Sequence, residues 1–318
     1  MSKLHTIIRR LRLGTAYRHQ LTCHPDFGLE RHEDGCSVLW RGRRVGRVGL
    51  VGPLKNRYGD HCFTVATGPS LGEVDLGRLA GHDCISLNCA IRKFAEAGMR
   101  PRHCVIVDRR IFENQWECVR DSITSGANCF FSAVGLSRIC EREPELLGHD
   151  NIFLIEAIGR RFGFPGVDKE RFHAAYRDDP EVVLDPEHAA QARTIGFSLN
   201  ADKGFFPGKT VATWAVQLAC FLGYRSNYIL GMDLGGTGKA HFYGDNRMRP
   251  PDFLKDYDPY IRVAFELARR AADDRGFRIF NLSAHSTLPA EIIPKISLEE
   301  ALADASGAAI FSERVVQP

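Results

Sequence analysis

The chain has 318 residues, 44% apolar content and a formal net charge of +3, so it can bury a large core and is neither strongly basic nor strongly acidic. That balance, without zinc-finger spacing, a helix-turn-helix pattern or an aromatic RNA-binding strand among the arginines, argues against a nucleic-acid partner. Ten cysteines stand as singletons with no C-x-x-C pair, which suits buried thiols in a reducing compartment; with no signal peptide and no apolar run of membrane-spanning length, a cytoplasmic location is expected.

Charge is unevenly spread. Residues 1–60 hold 12 Lys/Arg against 5 acids, with Arg9, Arg10, Arg12, Arg41, Arg43, Arg44 and Arg47 prominent. Leu4, Ile7, Ile8 and Leu11 recur beside them at helical spacing. A basic amphipathic helix of this kind suits an anionic membrane surface, while a helix docked on the domain with its basic face in solvent has the same pattern. The segment is set apart on this basis, and residues 61–318 are read as one elaborated domain.

His61 to Thr67 (HCFTVAT) reads as a buried strand that runs into the turn Gly68-Pro69-Ser70-Leu71-Gly72. Asp83 to Asn88 and His103 to Asp108 follow as further strands with a helix to Gly98 between them, each ending on a polar residue. Asn88 and Asp108 are therefore either helix caps or ligands in a shared crevice. More strands are expected near residues 129 and 152. From Gly159 to Lys203 the chain turns charged, with Arg160, Arg161, Lys169, Arg171, Arg177 and Arg193 among prolines and acids, which suits a lid over the site.

The most informative stretch is Gly204 to Asp245. Gly208, Lys209 and Thr210 open an apolar helix of roughly 13 residues, and free N–H groups at such a start attract phosphate. It is not a nucleotide P-loop: that motif needs a glycine where Lys203 stands, and Gly204 falls one residue late. Gly223 ends the helix, and Asn227 to Asp233 form a strand that delivers Asp233 into a glycine-rich loop. A last strand spans Phe277 to Ser283, with His285 and Ser286 just beyond as donor ligands or a polar turn. Together these elements specify an α/β fold, a Rossmann-like, mostly parallel sheet with helices on both faces.

The segments TGPSL at Thr67, SLNCAI at Ser86, VIVDRR at Val105, GKTVATWAVQLACFLGY at Gly208, ILGMDL at Ile229, HFYGDN at His241 and NLSAHSTLP at Asn281 carry a resemblance. In order and spacing, over about Phe63 to Ile296, they resemble the WaaZ-type lipopolysaccharide-core Kdo transferases. More distantly they are similar to bacterial CMP-sialic acid sialyltransferases and to archaeal hydroxymethylpterin pyrophosphokinases.

The resemblance implies transfer of the acidic sugar Kdo from CMP-Kdo to a glycolipid in the lipid A–core region, with contact to the inner-membrane surface. No cofactor beyond the CMP-Kdo donor is implied, and no metal, since a monophosphate leaving group needs one less than a diphosphate does. Gly68, Pro69, Ser70, Asn88, Asp108, Gly208, Lys209, Thr210 and Asp233 are the expected donor-binding residues. His241, Tyr243 and Asp245 are the expected catalytic ones, Tyr243 at the leaving phosphate as in the sialyltransferases and His241 or Asp245 as base, with Asp256 and Asp258 also open. The alternatives are a magnesium-dependent pyrophosphokinase acting on a pterin-like alcohol and a nucleotide-binding module without catalysis.

Overall fold

The computed structural model describes residues 13–185, 194–235, 241–243 and 253–307. Twelve strands form there: β1 (Phe27–His32), β2 (Gly35–Trp40), β3 (Arg43–Leu50), β4 (His61–Val65), β5 (Cys84–Leu87), β6 (His103–Ile106), β7 (Asn128–Phe131), β8 (Ile152–Leu154), β9 (Val182–Leu184), β10 (Gly196–Ser198), β11 (Ser226–Leu230) and β12 (Arg278–Asn281). The main helices are α1 (Ile91–Glu96), α2 (Arg109–Asn114), α3 (Trp116–Thr124), α4 (Ala133–Arg142), α5 (Lys169–Tyr176), α6 (Val211–Leu222), α7 (Val263–Asp273) and α8 (Leu298–Ala305).

Ten strands make one sheet in the order β1-β2-β3-β8-β7-β6-β5-β4-β11-β12. From β3 to β12 every neighbouring pair is parallel. Short, almost wholly apolar strands such as CISL and HCVI fit this arrangement, because a parallel sheet is covered on both faces. On one face Phe63, Val65 and Cys104 pack with Val119 and Ile123 of α3 and Leu136 and Ile139 of α4. On the other, Cys62, Ile85, Leu87 and Val105 meet Ala215, Leu218 and Leu222 of α6 and Phe265 of α7. Nine cysteines are buried free thiols and Cys220 is half-buried, in keeping with their apolar surroundings in sequence.

The basic N-terminal segment departs from its reading as a region apart. Strands β1 to β3 form an antiparallel meander, and β3 joins the parallel sheet by pairing Gly49 with Phe153 and Leu50 with Leu154 of β8. The β2–β3 connection is the two-residue turn Arg41–Gly42, both at positive φ (51° and 74°), whose twist matches the flanking strands. A boundary at residue 60 therefore cuts within the sheet. The amphipathic pattern at Leu4 to Leu11 lies outside the described residues.

The charged stretch at 159–203 carries its own structure. Helix α5 and the antiparallel pair β9–β10 belong to it, and Phe172 and Val182 pack with Ile158 and Phe206 in a small apolar cluster. Lys203 ties the strand β9 approach together, 2.6 Å from Asp179 and 2.9 Å from Glu181.

Candidate active site

A cavity of about 600 Å³ opens at the carboxyl edge of the parallel sheet. Residues just past six strand ends line it: Thr67, Gly68 and Pro69 after β4, Asn88 after β5, Asp108 after β6, Ser132 after β7, Glu156 after β8, and Gly231 to Asp233 after β11. Ligands of open α/β folds collect along this edge, because the strand-to-helix turns present backbone N–H groups there.

Asp233 is 2% exposed and is held by the turn it faces. Its carboxylate accepts from Ser70 N at 2.8 Å and Ser70 Oγ at 2.6 Å. Gly68 donates to the Gly231 carbonyl at 2.8 Å, and a Cβ on Gly68 would come within 2.4 Å of that oxygen and 2.5 Å of Asp233 Oδ2. Only glycine fits this approach. Gly68, Pro69 and Asp233 line the cavity as expected, while Ser70 and Asp233 spend their polar atoms chiefly on one another.

Asn88 and Asp108 divide. Asn88 sits at φ 50°, a left-handed conformation that is rare outside glycine, and its buried Oδ1 has no hydrogen-bond partner. A buried acceptor left open at a cavity wall is what a ligand donor would satisfy. Asp108 lines the cavity but caps α2, accepting from Arg110 N at 2.8 Å, and is ion-paired with Arg110 Nη2 at 2.6 Å. Here the cap accounts for the carboxylate.

The start of α6 faces the cavity through Lys209, Thr210, Val211 and Ala212. Thr210 caps the helix, its hydroxyl accepting from Ala212 N at 3.3 Å. Gly208 and Lys209 are both at positive φ (50° and 63°), a strained entry for a lysine of the kind that persists where function requires it. Lys209 Nζ lies 3.4 Å from Asp256 and 4.9 Å from the Tyr260 ring centre.

The three expected catalytic residues separate. His241 lines the cavity, with Nδ1 3.1 Å from Thr67 Oγ1. Tyr243 stacks on the His241 ring at 5.0 Å, but its side chain packs into the core beneath the site, under the Arg92 guanidinium at 5.2 Å. Burial beside Cys89 pushes the Tyr243 phenol well above its usual range, and the residue is absent from the cavity lining, so it is not placed to meet a leaving phosphate. Asp245 lies outside the described residues. Asp258 faces solvent in an ion pair with Arg262 at 3.3 Å. His285 is exposed, and Ser286 Oγ accepts from Leu288 N at 3.3 Å, which makes that pair a polar turn.

Sequence reasoning missed two parts of the wall. Glu156, 9% exposed, accepts two hydrogen bonds from Arg31 Nη2 at 2.9 and 2.7 Å and one from Phe162 N at 2.7 Å. Arg18, His19, Gln20 and Thr22 form the other part, in the same lining as Arg160 and Phe162. Among the described residues there is no cluster of three or more His, Cys, Asp or Glu placed to share a metal ion, and no helix long and apolar enough to cross a membrane.

Fold and site define an α/β protein with a cation-bearing ligand cavity at the carboxyl edge of a parallel sheet. Residues 48–299 match the family model of "3-deoxy-D-manno-octulosonic acid transferase WaaZ"; the chain belongs to this family and is a glycosyltransferase. It is 23% identical over 250 residues to a probable 3-deoxy-manno-octulosonic acid transferase of Salmonella typhimurium, covering 78% of this chain and 90% of the relative. It is 22% identical over 267 residues to the protein so named in Escherichia coli K12, covering 83% and 92%. Among solved structures it is similar to the MAf glycosyltransferase of Magnetospirillum magneticum AMB-1, with a TM-score of 0.43 and 14% identity, spanning 80% of this chain and 38% of that one. The WaaZ resemblance seen in the motifs is borne out by the family match.

Proposed function

We propose that the protein moves Kdo, or a related acidic sugar, from its CMP-activated donor to a lipopolysaccharide core or lipid A acceptor, with inversion and without a metal. The supporting observation is that a buried, unpartnered acceptor, Asn88 Oδ1, and the cationic start of α6 line one cavity. A CMP-sugar carries one phosphate and one carboxylate, and such a ligand calls for a few N–H donors and one or two cations.

In this reading the phosphate lies at Lys209 and Thr210, Asn88 accepts a hydrogen bond from the donor, and the Gly68 turn approaches it by backbone. His241 is the base: with Nδ1 donating to Thr67 Oγ1, Nε2 carries the lone pair that takes the acceptor hydroxyl's proton. The acceptor oxygen then bonds to the anomeric carbon through an oxocarbenium-like state, and CMP leaves with the electrons of the broken bond.

The test is CMP release from freshly made CMP-Kdo, with and without a Kdo-bearing lipid A acceptor, in the presence of EDTA. Acceptor-stimulated, EDTA-resistant release with a matching mass gain on the glycolipid is expected. Release no faster than spontaneous donor decay overturns the reading.

A further inference from the structure

The family match begins at residue 48, yet the cavity wall includes Arg18, His19, Gln20, Thr22 and Cys23. This wall is built in: Gly166 N donates to the Ala16 carbonyl at 2.6 Å, His24 N to Ser137 Oγ at 2.8 Å, and Gln20 Nε2 to the Phe164 carbonyl at 3.3 Å. His19 Nε2 reaches the Arg161 carbonyl at 3.1 Å, which ties the segment carrying Arg18 to the one carrying Arg160, and both arginines line the cavity.

The charges here are unbalanced. Each carboxylate of the lining is engaged within the protein: Asp108 by Arg110, Glu156 by Arg31 and Asp233 by Ser70. Of the lining cations, Arg110 is matched by Asp108 and Lys209 by Asp256. Arg18 and Arg160 are exposed, line the same cavity and have no acidic partner among the described residues. The segment that leads into α6 runs beside the chain that follows β8, with Ile158 N donating to the Phe205 carbonyl at 3.0 Å and Phe205 N to the Glu156 carbonyl at 2.8 Å, so the start of α6 and this rim are neighbouring parts of one cavity lining.

We propose that Arg18 and Arg160 form an anion clamp for a second negative group of the substrates, which makes the N-terminal wall a specificity element beyond the family core. Two guanidiniums fit a carboxylate or phosphate through paired N–H donors. The inference rests on the proposed function for which group that is: the carboxylate of the acidic sugar or a phosphate on the glycolipid.

Equilibrium binding to the full chain tests it, by calorimetry and by the emission of Trp214, which lines the cavity. The probes are CMP for the nucleotide end, free Kdo for a carboxylate and inorganic phosphate for the other anion. In the double variant Arg18→Gln/Arg160→Gln, affinity for one anionic probe is expected to fall about tenfold or more while CMP stays within about twofold, and Arg160→Lys is expected to recover part of the loss. A selective loss for Kdo assigns the clamp to the donor sugar, and one for phosphate assigns it to the acceptor. Unchanged affinity for both anions, or an equal loss for CMP in a variant with unchanged unfolding temperature, overturns the clamp alone. Wild-type protein that binds none of the three overturns the clamp and the proposed function together.

Discussion

Asp233 and Ser70 lie 163 positions apart in sequence and close the floor of the cavity through two hydrogen bonds, backbone N to Oδ2 at 2.8 Å and hydroxyl to Oδ1 at 2.6 Å. A buried carboxylate that accepts twice from one residue fixes the Gly68–Ser70 turn more than it contacts a ligand. Asp233→Asn sets an amide N–H₂ against one of these donors, at a cost of about 1–3 kcal/mol. Thermal unfolding should show the loss and donor KM should rise. A variant with wild-type stability and KM would show that the pair does not hold the turn.

Gly68→Ala tests the same floor by shape. The added methyl would lie 2.4 Å from the Gly231 oxygen, and that atom is backbone and cannot swing aside. The expected result is a folded protein whose donor binding is weakened at least tenfold, read by calorimetry with CMP. Binding equal to wild type would mean that the turn does not approach the ligand as described.

Beneath the far edge of the sheet, His103 is fixed as a neutral ring. Tyr224 OH donates to Asp83 at 2.9 Å, so its oxygen accepts from His103 Nε2–H at 3.1 Å, while Asn128 Nδ2 faces Nδ1 at 3.4 Å. Burial lowers its pKa to about 3. Above about pH 6.5 the ring is neutral folded or unfolded; as pH falls towards 3 only the unfolded chain takes the proton, so stability is lost. Between pH 7 and 4.5 this residue should remove about 2–3 kcal/mol of unfolding free energy. Denaturant unfolding of His103→Gln should show a correspondingly flatter pH dependence; a slope equal to wild type would assign the effect elsewhere.

Arg31 and Glu156 carry the wall that sequence reading missed. Removing the guanidinium in Arg31→Ala leaves a nearly buried carboxylate with the Phe162 N–H and the Arg161 guanidinium, 3.5 Å away, as remaining partners. A loss of about 2–4 kcal/mol is expected. Adding Glu156→Gln should restore part of it, because an amide needs no counter-charge. Strictly additive losses in the double-mutant cycle would argue that the pair does not act as a unit.

What was legible in the sequence follows from range. The strands near residues 63, 84, 104, 129, 152, 228 and 278 announce themselves as apolar runs, because a doubly covered parallel strand must be apolar on both faces. Helix α6 shows its opening at Gly208 to Thr210 and its Gly223 stop locally, and in the structure Thr210 caps it and Gly223 follows its last residue. On β3 the exposed Arg43, Arg44 and Arg47 disguise a meander as a basic tail. The Arg31–Glu156 pair spans 125 positions and leaves no local trace. Asp108 and Tyr243 were ambiguous for the same reason: a polar residue after an apolar strand is equally a cap or a ligand, and only tertiary packing decides where a tyrosine hydroxyl points.

His241 and Tyr243, two residues apart and stacked at 5.0 Å, give the sharpest separation of roles. His241 lines the cavity, whereas the Tyr243 hydroxyl is buried beside Cys89. His241→Asn should therefore cut kcat about 10²-fold or more with CMP binding retained, since removing a general base affects the proton transfer and not the ground-state complex. Tyr243→Phe deletes one buried hydroxyl whose neighbour is the Cys89 thiol, so turnover within about twofold of wild type and a stability change of no more than about 1 kcal/mol are expected. The opposite pattern, full activity without the imidazole and loss without the phenol, would move the chemistry to the tyrosine and require the His241–Tyr243 stack to open when the donor binds.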